Sequence, residues 1–190
     1  FDDLGSVLFS IANFERYTAM QSTRPLSLSA ALDVLLAHPH WRERVDPARV
    51  GGFGASQGGE SLMLMGGAEL TTSITGASRA VGLDGRLKGA VGYVPYFGQP
   101  VLPAFGRDNR GTEGVRLPFL AISGTADVTA PIGPAEQGMR RLHGSRMLVA
   151  LSGLTHGFDA TSAGDIFTWS LAWLEAFARD DREARARLDR

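Results

Sequence analysis

Apolar residues along this chain alternate between short continuous runs and longer stretches of helical spacing. The short runs fall at 50–53, 87–94, 117–123 and 146–151, each closed by turn-forming residues, and read as buried strands. Leu117-Pro118-Phe119-Leu120-Ala121-Ile122-Ser123 is almost wholly apolar. A central strand of a parallel sheet has that character, because helices cover both of its faces.

The helical spacing lies around these runs. Leu4, Val7, Leu8, Ile11 and Ala12 predict an amphipathic helix over 4–19, with Asp3 as its N-cap and Arg24-Pro25 as its break. A second helix starts at Ser27 or Ser29, buries Ala31, Leu32, Leu35 and Leu36, and stops at His38-Pro39-His40. Further helices are expected from Ser56 to about Leu70, over 134–142, and around the apolar stripe Ile166, Trp173, Leu174 and Phe177. The segments 68–84 and 97–116 follow neither period and are expected to be surface or lid-like excursions. The charged tail 179–190 reads as solvated. Strands separated by helices require crossovers, so the fold class expected is α/β, a mostly parallel sheet with helices on both faces.

Composition narrows the chemistry. The chain has 190 residues, enough for one domain with a sizeable core, and a net charge of −1, which offers no polyanion-binding surface. No nucleic-acid partner is expected. There is no cysteine, which removes disulfides, zinc–thiolate sites and a thiol nucleophile together. No apolar run approaches the roughly 20 residues that span a bilayer. His38 and His40 invite a metal reading, but no third ligand has suitable spacing, so neither a metal nor another cofactor is expected.

One stretch carries chemistry. Gly54-Ala55-Ser56-Gln57-Gly58 has the G-x-S-x-G spacing of a nucleophile elbow, set between an apolar strand and a helix start. A serine on such a turn projects its hydroxyl clear of the backbone, so Gly54 and Gly58 are expected to be needed to avoid collision, and Gly59 to let the helix pack closely. The new helix aims its dipole and free N–H groups at the serine. Asp127 and His156 also follow expected strands directly. In parallel sheets reactive groups gather at the carboxyl ends of strands, so three separate loops bring a hydroxyl, an acid and a base to one edge. Serine needs an imidazole to take its proton and a carboxylate to fix the imidazole tautomer. Among the rivals, Asp159 and Asp165 follow the histidine toward the last helix, Asp84 sits in a turn, and His143 caps a helix end.

The order Ser56, Asp127, His156 resembles that of the α/β-hydrolase superfamily, through Gly54–Gly58, Ser123-Gly124-Thr125-Ala126-Asp127 and Leu154-Thr155-His156-Gly157. More narrowly, Arg24-Pro25-Leu26-Ser27, Asp33-Val34-Leu35-Leu36 and Asp46-Pro47-Ala48-Arg49-Val50-Gly51 resemble bacterial dienelactone-hydrolase-like and platelet-activating-factor-acetylhydrolase-like hydrolases. A dienelactone hydrolase proper would use a cysteine, which this chain lacks. The resemblance implies hydrolysis of small carboxylic esters by Ser56, His156 and Asp127, with the Gln57 backbone N–H in the oxyanion hole. A lipase, an acyltransferase or a catalytically silent binding scaffold could use the same frame. Tyr96, Phe97, Phe105 and Phe158 are candidates for the substrate pocket or, equally, for the core. The resemblance also implies early strands and a second oxyanion donor that residues 1–55 do not supply. The expectation is that 1–190 form the C-terminal part of one catalytic domain, completed by a second polypeptide or an N-terminal segment outside this sequence. Without that segment the strand at 50–53 would present an apolar edge.

Overall fold

Alternation along the strands decides which side chains enter which layer. In the computed structural model, which describes residues 13–99, 102–158 and 160–188, the chain order begins with α1 (Phe14–Ala37), β1 (Val50–Ala55) and α2 (Gln57–Met65). Then come β2 (Glu69–Thr71), β3 (Ser78–Ala80), β4 (Leu87–Tyr93), β5 (Gly98–Gln99), β6 (Leu102–Pro103) and a 3-10 segment (Arg107–Thr112). The remainder is β7 (Phe119–Gly124), α3 (Ile132–Arg141), β8 (Arg146–Leu151), α4 (Ala163–Phe177) and α5 (Arg182–Leu188). The central sheet has the order β1-β4-β7-β8, and every pairing in it is parallel. Ala90, Phe119 and Ala121 face one core with Leu62, Met63, Ala135 and Met139 of α2 and α3. Their neighbours Val91, Leu120 and Ile122 face a second core with Ile166 and Trp173 of α4. The α/β class follows: a parallel sheet with helices on both faces.

Several local expectations are revised. Proline does not break the first helix: α1 runs through Pro25, which is buried with Thr18 and Gln21. The missing N–H and ring clash of an interior proline cost about 3 kcal/mol, so packing of this face on α2 outweighs local propensity. Of the helix expected over 4–19, residues 4–12 lie outside the described residues, and 14–19 form the start of α1. Leu32, Leu35 and Leu36 are only half-buried, and Ala31 is exposed. Gly66 and Gly67 (φ 102°) end α2 at Met65, five residues early, and Leu70 joins the short β2–β3 hairpin. That hairpin makes 68–84 a surface excursion with buried ends at Leu70 and Asp84.

The segment 97–116 is not a lid. Phe97, Phe105, Asn109, Thr112 and Val115 are all fully buried. Phe97 and Phe105 stack edge to face at 5.3 Å, and a side chain at Gly138 of α3 would strike the Phe97 ring. Both rings are therefore core aromatics rather than pocket walls. The charged tail is also more than a solvated end. It forms α5, which buries Ala184 and sets the Arg185 guanidinium over Phe177, while also donating to the Ala176 carbonyl.

β1 is an edge. It pairs with β4 on one side and with no described strand on the other. Phe53 at its centre is 48% exposed, and Met20, Leu26, Leu28 and Val34 of α1 are exposed as well. No helix among the described residues is long and apolar enough to cross a membrane.

Candidate active site

All four strands of the sheet end at one place. Ser56 follows β1 in a conformation of φ 51° and ψ −117°. A non-glycine residue held there costs about 1–3 kcal/mol and persists only where the surroundings fix it. Here they do: the Ser56 N–H donates to the Tyr93 carbonyl at 2.9 Å, and the Ser56 carbonyl accepts from the N–H groups of Tyr96 at 3.1 Å and Glu60 at 3.2 Å. A Cβ on Gly54 would lie 2.5 Å from the Gly58 carbonyl carbon, so that glycine is sterically required. Gly58 is not, since a Cβ there would meet nothing within 4 Å. Gly59 permits the close approach of α2, but to Pro95 and Gly92 rather than to the elbow strand.

Asp127 follows β7, and its side chain is wholly buried. Its Oδ1 accepts from the N–H groups of Thr129 and Ala130, each at 2.8 Å, and its Oδ2 lies 2.8 Å from His156 Nδ1. The His156 Nε2 is 3.0 Å from Ser56 Oγ, and 31% of its side chain is exposed. A carboxylate on Nδ1 fixes that proton in place, which leaves Nε2 to accept from the serine hydroxyl. The two loops that carry acid and base are laced together. The Ala126 N–H donates to the Leu154 carbonyl at 3.0 Å, and the Gly153 N–H to Thr125 Oγ1 at 2.9 Å. A Cβ on Gly124 would lie 2.1 Å from the Leu154 carbonyl oxygen, which is why glycine precedes the acid loop.

The electrostatics at the serine come from α2. Gln57 is its first residue, so its backbone N–H has no intrahelical acceptor. No described group accepts it either, and it points from the positive end of the helix. Such an arrangement can deprotonate a hydroxyl as it attacks and stabilise an oxyanion beside it.

Behind the elbow lies a polar cluster that sequence patterning did not reveal. Gln57 Nε2 donates to the Tyr17 hydroxyl at 3.1 Å, and the buried Tyr96 belongs to the same cluster. Gln21 donates to Glu60 Oε1, while Glu60 Oε2, Thr18 Oγ1 and Arg24 Nη1 are buried without a hydrogen-bond partner among the described residues. Burial pushes the Glu60 carboxyl up to about 8, against the pull of Arg24 and Gln21. Burial also raises Tyr17 and Tyr96, both of which feel Glu60. The signal was present as spacing: Tyr17, Gln21 and Arg24 at i, i+4 and i+7, opposite Gln57 and Glu60 at i and i+3.

The other candidates are dispersed. Tyr96 is buried against the elbow, whereas Phe158 is 55% exposed and stacks on Tyr93 and Phe167. Asp84 is held down to about 2, chiefly by its hydrogen bond to Arg86 and partly by Ser29. Asp165 and His143 are exposed, and Asp159 lies outside the described residues. His38 and His40 are exposed beside Trp41. Among the described residues no group of three or more His, Asp or Glu could hold a metal ion. No family model matches the chain, and no curated protein matches it.

Proposed function

We propose that this chain is the catalytic part of a serine hydrolase of small carboxylic esters, built on the α/β-hydrolase fold. One observation carries the reading: an unbroken hydrogen-bonded line from Ser56 Oγ through His156 to a buried, triply bonded Asp127 carboxylate. In the reaction His156 Nε2 takes the hydroxyl proton as Ser56 Oγ attacks the ester carbonyl carbon. The tetrahedral oxyanion meets the Gln57 N–H, and the imidazolium then returns the proton to the departing alkoxide. Water, activated by the same imidazole, attacks the acyl-enzyme and releases the acid. No cofactor enters this scheme.

The reading includes one more component. The β1 edge, open among the described residues, and the exposed apolar face of α1 call for further strands, supplied by a segment outside the described residues or by a second polypeptide. That component would also supply the second oxyanion donor. The test is a fluorophosphonate reaction followed by peptide mass spectrometry. An adduct on Ser56, lost in Ser56→Ala together with hydrolysis of p-nitrophenyl esters, is expected. Ester turnover that survives in Ser56→Ala would sink the proposal. A folded, complete protein that takes no adduct would point instead to a silent binding scaffold.

A further inference from the structure

We propose that the Tyr93 hydroxyl is the positioning group that sets the distance between the Ser56 nucleophile and the His156 base. The inference deepens the hydrolase reading and rests on it. Three observations converge on the turn Tyr93-Val94-Pro95-Tyr96, which the hydrolytic scheme itself does not use.

The first concerns the base. Tyr93 is 3% exposed, and its hydroxyl donates to the Gly157 carbonyl at 2.6 Å. Its ring meets the Phe158 ring edge to face at 5.6 Å. Both residues after His156 are thus held by one side chain. Among the described residues, the bond to Gly157 is the one hydrogen bond on the main chain of 155–158. The imidazole is tied to Asp127 and the chain before it to Thr125 and Ala126, whereas the chain just after it is tied to Tyr93.

The second concerns the nucleophile. The same residue accepts the Ser56 N–H through its carbonyl, and Tyr96 three positions on donates to the Ser56 carbonyl. Serine and histidine loops therefore meet on a single residue, with no intervening segment to flex.

The third is the strain that keeps this residue in place. Val94 is β-branched and buried, with φ 40°, a left-handed conformation that such residues rarely adopt. Its N–H donates to the Ile122 carbonyl at 2.7 Å. Pro95 then wedges between α2 and β4, where side chains at Gly59 and Gly92 would approach its Cβ to 2.7 and 2.8 Å. A sparsely populated backbone conformation that is locked on three sides fixes where the Tyr93 carbonyl and ring point.

Misplacing a reacting group by about 1 Å can cost about 100-fold in rate. Tyr93→Phe deletes the bond to Gly157 and keeps the buried ring. The experiment compares wild type, Tyr93→Phe and Ser170→Ala in the whole protein. Ser170→Ala removes a buried hydroxyl of α4 that bonds only its own helix, to the Ile166 carbonyl. Fluorophosphonate labelling of Ser56, steady-state hydrolysis of p-nitrophenyl butyrate and the low-field proton resonance of His156 Nδ1–H are read for each. In Tyr93→Phe, kcat and the labelling rate should fall together by about 10- to 100-fold while KM changes less than about threefold, and the Nδ1–H resonance should broaden or shift. Ser170→Ala should match wild type in all three. Wild-type kcat and labelling in Tyr93→Phe would overturn the proposal. If wild type itself takes no label, the hydrolase reading fails, and the resonance alone decides: an unchanged signal in Tyr93→Phe then overturns the positioning role too.

Discussion

Two buried acids flank Ser56, and their surroundings are opposites. On the β7–β8 side, Asp127 sits in a carboxylate-shaped nest of two backbone N–H groups and an imidazole. On the α1–α2 side, Glu60 receives one bond from Gln21, leaves Oε2 unpaired among the described residues, and is pushed up to about 8 by burial. Burial alone favours the neutral acid, whereas donors fixed in advance favour the charged one. The contrast extends to the loops. Those carrying Asp127 and His156 are laced by backbone bonds, while the Glu60 side keeps an unpaired Arg24 Nη1 and an exposed apolar helix. One side of the serine has its polar groups hydrogen-bonded, and the other is buried without being satisfied.

The largest expected effect tests the hydrogen-bonded side. Asp127→Asn keeps the shape but places an amide where the two N–H groups and the imidazole all need an acceptor. If the amide oxygen stays on the two N–H groups, the NH2 faces Nδ1 and the imidazole turns to the tautomer protonated on Nε2. Turned the other way, the NH2 faces the two N–H donors, which is the costlier arrangement. Turnover should fall about 10⁴-fold with little loss of fold, since the wrong tautomer cannot accept the serine proton. Retention of kcat within tenfold, measured on p-nitrophenyl esters, would mean that Asp127 does not orient His156.

The next effect tests the unsatisfied side. Glu60 lies at about 8 in the fold, above its ordinary value of 4.5. Between those values the folded state holds a proton that the unfolded chain has released. Stability therefore falls as pH rises from about 4.5 to about 8, by at most about 1.4 kcal/mol per pH unit, and then levels off. Glu60→Gln removes the titrating group. The variant should melt higher than wild type at pH 8, by up to about 4 kcal/mol in stability, and the two should converge near pH 4.5. A stability difference that does not vary with pH would show that Arg24 or solvent compensates the charge.

The same contrast explains what could be read from the sequence. The four strands were legible because buried parallel strands leave apolar runs, and the last helix because its stripe has one clear period. Ser56, Asp127 and His156 were legible because each follows a strand, so topology alone brings them to one edge. The α1 face was not. Pro25 is a reliable stop signal, overridden here by packing that only the folded chain contains. Phe97 and Phe105 were ambiguous because a pocket wall and a core use the same residue types, and only Gly138 reveals the close contact. Tyr93 left no trace, since a tyrosine closing a strand looks the same whether or not its hydroxyl reaches another loop.

The smallest effect separates two glycines that one motif treats as equivalent. A side chain on Gly54 would collide with the backbone of Gly58 at 2.5 Å, and neither partner is a flexible side chain that can move aside. Gly54→Ala must therefore open the elbow, at a cost of about 1–3 kcal/mol. Gly58 faces the groove toward Met20, Arg24 and Leu28, and an added Cβ meets nothing within 4 Å. It lies in the first turn of α2, and its φ is not in the positive range, so alanine fits its backbone. Gly58→Ala should thus stabilise the protein by roughly 0.4–1 kcal/mol, through the lower entropy of the unfolded chain. Thermal melts of the two variants decide the matter. Destabilisation by both would mean that the side of the elbow facing α1 is as tightly filled as the side facing the sheet, and that a further segment already occupies the groove.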